Sequence, residues 1–125
     1  MADAVSTSTL LSGSYKKILC FNNVSDGTGE SAVNKVDIST LQGNPSSVKI
    51  NRLWFACSGL QVRILFDHTT DDTVLVLDGS GHFDFRTFGG LQDPKSTGGT
   101  GDILFTTINH TANDSYTVIL EVEWQ

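Results

Sequence analysis

The chain has 125 residues, 38% of them apolar, and 14 acidic against 8 basic side chains for a formal net charge of −6. That length suits one domain with its own core, the composition excludes a disordered chain, and the negative charge disfavours sequence-general binding to nucleic acid. No stretch approaches the ~18 apolar residues of a membrane-spanning helix. The opening MADAVSTSTLLSGSY also lacks the basic and apolar regions of a secretory signal, so synthesis in a cytoplasm is expected, with no membrane partner.

Abundant Gly, Ser, Thr, Asn and Asp favour strands joined by turns. Residues 1–14 are small and polar and read as an extended N-terminal arm on a domain spanning residues 15–125. Residues 15–24 (YKKILCFNNV) form the first predicted strand, and SDGTG after it is a turn. Residues 32–38 alternate as a half-buried or edge strand. Residues 47–57 (SVKINRLWFAC) are a long apolar strand whose phase changes midway. Val48 and Ile50 are apolar at even positions, then Leu53, Phe55 and Cys57 at odd ones, which predicts a bulge near Asn51 and Arg52. Trp54 is expected in the core.

Ser58-Gly59 predicts a tight hairpin into residues 60–67, where Val62, Ile64 and Phe66 share a face. Residues 73–78 (TVLVLD) read as a buried strand, and residues 82–87 (HFDFRT) as a strand with Phe83 and Phe85 inward. A long loop, residues 88–101, precedes a strand over residues 102–109. The closing segment, residues 115–125 (SYTVILEVEWQ), has the clearest alternation. Tyr116, Val118, Leu120, Val122 and Trp124 lie on one face, with Thr117, Glu121 and Glu123 on the other. About eight strands at spacings near ten residues, with no long helical stretch, predict an all-β fold: a single antiparallel β-sandwich of jelly-roll type.

The loop FGGLQDPKSTGGTGDILF holds five of the twelve glycines beside Lys95, Ser96 and Thr97. A phosphate loop needs its lysine directly after the last glycine and a helix behind it. Here Lys95 comes before Gly98-Gly99 and a strand follows, so contact with a partner is the better use of so long a loop. The candidate partner-contact residues are Phe88, Leu91, Asp93, Lys95 and Trp124. The acidic turns around Asp67, Asp71 and Asp72, and around Asp26 and Glu30, lack the ligand spacing of a calcium loop. His68, His82 and His110 show no metal-ligand spacing, and no nucleophile elbow is present. No catalytic residue, metal or cofactor is expected. Cys20 and Cys57 read as reduced thiols in apolar strands, with a disulfide as the alternative. The three N-x-S/T sequons are expected to be accidental.

Two stretches, NNVSDGTGESAVNKVDIS (residues 22–39) and FDFRTFGGLQDPKSTGGTGDILFTT (residues 83–107), resemble small structural proteins encoded by tailed bacteriophages. The likeness extends loosely from about residue 10 to residue 123 and rests on the DGTGE turn, the FDFR–FGGL run and the TGDILFTT strand start. It implies a virion component, a capsid decoration (cement) protein on the capsid exterior. As partners it implies the major capsid protein and, by homotrimer formation, further copies of the chain. A neck, tail or fibre-associated part, a carbohydrate-binding β-sandwich module and a small enzyme are the alternatives.

Overall fold

The period-two segment near the end of the chain becomes the central strand of a sheet, and the rest of the architecture is arranged around it. A computed structural model describes residues 4–27, 29–38, 41, 48–68, 72–92, 99–108 and 111–124. Its strands are β1 (Ala4–Ser12), β2 (Lys16–Val24), β3 (Val33–Val36), β4 (Lys49–Ser58), β5 (Gln61–His68), β6 (Asp72–Leu77), β7 (Ser80–Asp84), β8 (Gly99–Ile108) and β9 (Ser115–Glu123). A 3-10 turn, Arg86–Phe88, follows β7.

One sheet has the order β1-β2-β9-β4-β7 and the other β3-β8-β5-β6. All pairings between strands are antiparallel. The pairs β2 with β9, β3 with β8, β4 with β7 and β5 with β6 nest inside one another along the chain. A long folded-over ribbon of nested antiparallel pairs, wound so that alternate pairs fall in opposite sheets, is the jelly-roll topology. The predicted all-β sandwich is therefore observed, with β1 as an extra strand at one edge.

The core lies between the sheets, and alternation puts the right side chains there. Leu19 and Phe21 of β2, Leu53 of β4, and Val118, Leu120 and Val122 of β9 come from one sheet. Val62, Ile64 and Phe66 of β5 and Ile103 and Phe105 of β8 come from the other. Phe21 and Phe105 meet edge to face across the gap with ring centroids 5.2 Å apart, and Tyr116 meets Phe105 in the same manner at 5.9 Å. The expected bulge is present. The β4–β9 register shifts between Ile50 and Arg52, which lets Ile50 and Leu53 both turn inward.

Several expectations are corrected. Residues 4–12 are not a free arm but a nine-residue strand paired to β2. Ser58-Gly59 does not close a hairpin, because β4 and β5 belong to different sheets. Gly59, at φ +82°, turns the chain across the sandwich instead, and a Cβ there would collide with the Asp114 carboxylate. Residues 73–78 are a half-exposed edge strand rather than a buried one, with Val76 54% exposed. Phe83 lies on the same side of its sheet as Leu53, yet it is 39% exposed because β7 is also an edge. Strand β8 begins at Gly99, earlier than expected, so the last residues of the Gly-rich loop are strand. Cys20 and Cys57 are both free and half-buried.

Candidate functional site

Of the five predicted contact residues, Leu91 and Trp124 pack into the sandwich rather than standing on its surface. Trp124 is buried at 4% exposure, and its backbone N–H donates to the Tyr15 carbonyl at 2.9 Å. Leu91 is half-buried against the core and exchanges two backbone hydrogen bonds with Ile50, at 2.8 and 2.9 Å. Because Ile50 also sits opposite Val122, Leu91 and Trp124 close the same end of the sandwich. Phe88 ends the 3-10 turn. Asp93 and Lys95 lie outside the described residues.

Trp54, expected in the core, lies on the outer face of the five-stranded sheet. The bulge explains this: after it, Leu53 points inward, so its neighbours Arg52 and Trp54 point outward. Register then sets the cross-strand rows. Cys20, Ile119, Trp54 and His82 stand side by side across β2, β9, β4 and β7, and Ile18, Glu121, Arg52 and Asp84 form the next row.

Trp54 stacks on His82 with centroids 5.2 Å apart, and the Arg52 guanidinium lies 5.2 Å from the Trp54 ring centre. Arg52 also grips Glu121 with two hydrogen bonds, Nε to Oε2 at 3.0 Å and Nη2 to Oε1 at 2.8 Å. Arg86 holds Asp84 in the same two-pronged way, at 2.9 and 2.7 Å. These flat guanidinium–carboxylate pairs fix both side chains in one plane. The patch is thus a preorganised aromatic and ionic surface on a rigid sheet.

The alternation of β9 puts Glu121 outward but does not reveal Arg52 as its partner. The available signal was the phase change at Asn51, which puts Arg52 and Trp54 opposite Leu53. At one end of this face Tyr15, Lys49, Glu123 and Trp124 line an open groove of about 370 Å³. There Glu123 accepts one hydrogen bond from Asn51 Nδ2 at 3.1 Å and forms an ion pair with Lys49 at 3.4 Å.

The electrostatics follow from these contacts. The hydrogen bonds from Arg52 hold the Glu121 carboxyl below its ordinary 4.5, against the opposing effect of burial. The Asn51 hydrogen bond does the same for Glu123. Asp84 is held well below the usual carboxylate range, first by the Arg86 side chain and then by its backbone N–H. Burial, reinforced by Asp78, pushes the Cys57 thiol up to about 11, which makes it a poor nucleophile near neutrality.

A carboxylate whose folded value is depressed stabilises the fold above its unfolded value, and that contribution is lost as pH falls through the folded one. Stability is therefore expected to decline once pH drops below about 4.5, the ordinary glutamate range. Urea midpoints measured from pH 7 to pH 3 check this. Glu121→Gln is expected to flatten the decline, and an unchanged profile in that variant would contradict the assignment.

No group of three or more His, Cys, Asp or Glu is placed to hold a metal ion among the described residues. Asp102 of the second familiar stretch fastens β3, its Oδ2 accepting from Asn34 Nδ2 at 2.9 Å and its Oδ1 from the Ile38 N–H at 3.0 Å. Asn23, the first sequon asparagine, is buried at 1% exposure.

No family model matches this chain, and no curated protein matches it. Among solved structures, a cupin superfamily protein from Desulfitobacterium hafniense is similar over 99% of this chain and 80% of its own, at 10% identity and a TM-score of 0.42.

Proposed function

We propose that this chain is a structural component of a bacteriophage virion, a decoration protein that stabilises the shell by bridging subunits of the major capsid protein from the capsid exterior. The observation that carries the reading is the outer face of the five-stranded sheet. Tryptophan and arginine are the residue types that dominate binding energy at protein interfaces, and here Trp54 and Arg52 are held in place on a rigid sheet. The two phage-like sequence stretches support the virion assignment. A net charge of −6 suits an outer surface better than one facing packaged DNA. Such a protein works by area and by repetition, because several modest contacts on one rigid body give avidity beyond each alone.

Shells stripped of the protein are expected to rupture at lower temperature than decorated ones. Trp54→Ala is expected to weaken readdition to stripped shells tenfold or more, the scale of a hot-spot loss. Equal rupture temperatures for stripped and decorated shells would remove the decoration role. Copy number per particle separates it from a neck, tail or fibre position. A sugar-binding role is less favoured, because Trp124 is buried and the Trp54 ring already carries Arg52 and His82 against it.

A further inference from the structure

Strand β1 is an edge of unusual character. It pairs with β2 on one side, and among the described residues no strand pairs with the other. Alternate N–H and C=O groups of such a strand point outward without a ladder partner, which makes it a template for another strand. Soluble proteins normally blunt such an edge with charge, proline or short length. The other three edges are blunted: β3 has four residues and contains Lys35, β6 has six and begins with Asp72, and β7 has five and ends with Asp84.

β1 has nine residues and neither charge nor proline, and the uncharged run continues from residue 4 to residue 15. Residues 5–15 are all exposed, on both faces of the strand. The facing sheet has four strands against five and leaves β1 uncovered. Val5, Leu10 and Leu11 expose between 45% and 57% of their surface along it.

We infer that β1 is a pairing edge for β1 of a second copy, antiparallel about a two-fold axis near Ser6 and Thr7. Charge argues for this occupant. Each chain carries −6 and repels its copy, so copies approach most cheaply along a strip without charge, and this is the longest such strip on any edge. Symmetry argues for it too, since an antiparallel pair of identical strands is self-complementary and closed. The axis falls at the middle of Ala4–Thr9, the part of β1 that follows β2 without a register break. The product is a continuous ten-stranded sheet shared by two sandwiches. This inference does not depend on the capsid reading, and it differs from the trimer that the phage resemblance implies.

The test is sedimentation equilibrium of the whole chain, with the Ser6→Lys, Thr7→Lys double variant beside it. The parent chain at about 100 μM is expected to show twice the chain mass and the variant the mass of one chain, because four ammonium groups would crowd the axis. Both positions are exposed, so the variant is expected to keep the parent's circular dichroism. Hydrogen exchange provides a second measurement: alternate amides of β1 should be protected in the parent and exchange at least tenfold faster in the variant. A parent that sediments as a monomer or trimer, or a variant that still dimerises, would overturn the inference. So would β1 amides that exchange equally in both.

Discussion

Lys35→Met is expected to destabilise the domain by about 3–5 kcal/mol, the cost of leaving a buried charge without its partner. Lys35 Nζ lies 2.6 Å from Glu30 Oε2, and both side chains are only 5% exposed. Glu30 is fixed from every side. Tyr116 Oη donates to its Oε1 at 2.5 Å, its own N–H donates to Thr107 Oγ1 at 2.8 Å, and its carbonyl accepts from the Thr107 N–H at 3.0 Å. Removing the lysine leaves the carboxylate buried against the Tyr116 hydroxyl with its charged partner gone. The double variant Lys35→Met, Glu30→Gln is expected to recover most of the loss, because a neutral buried pair carries no uncompensated charge. Urea denaturation of the four proteins in the cycle measures this, and a single-variant loss under about 1 kcal/mol, the scale of an exposed pair, would show that the network is not load-sharing.

Phe21→Ala is the second large effect, at about 3–5 kcal/mol for truncating a fully buried aromatic. Phe21 and Phe105 come from opposite sheets and are both 0% exposed. Their edge-to-face contact joins the two sheets, so alanine both leaves a void and removes one of the ring partners of Phe105. Phe21→Leu, which leaves less of that space empty, is expected to lose less. Denaturant midpoints at constant slope check both, since a changed slope would signal an altered unfolded or native ensemble instead.

The alternation in β9 is readable from sequence because both of its faces meet different surroundings: a core on one side, Glu121 and Glu123 with their basic partners on the other. The Asn51 bulge is readable for the same reason, as a change of phase within one apolar run. β1 is not readable. Neither of its faces is covered, so its side chains have no reason to alternate, and Ser-Thr repetition resembles a loose arm. Ser58-Gly59 shows where the chain turns but not that it changes sheets, because a positive-φ glycine serves a hairpin and a corner equally. Hydrophobicity alone puts Trp54 in the core, whereas the phase of Leu53, Phe55 and Cys57 puts it outside, where it stacks on His82. The candidate site was harder still, since Arg52, His82, Asp84 and Glu121 meet only through the register of three strands far apart in sequence. The stretches of residues 22–39 and 83–107 contain fasteners: Glu30 on Tyr116, Asp84 on Arg86, Asp102 on Asn34 and Ile38. Such stretches speak first to how the molecule is held together.

The position of β9 between β2 and β4 has a kinetic consequence. The five-stranded layer cannot close before Ser115–Glu123 has been inserted at its centre, next to β2, which begins at Lys16. Contacts so distant along the chain make for high contact order and folding on the millisecond-to-second scale. Until that insertion, β2 and β4 each lack their common neighbour, so a truncated or stalled chain would expose two apolar half-sheets at once.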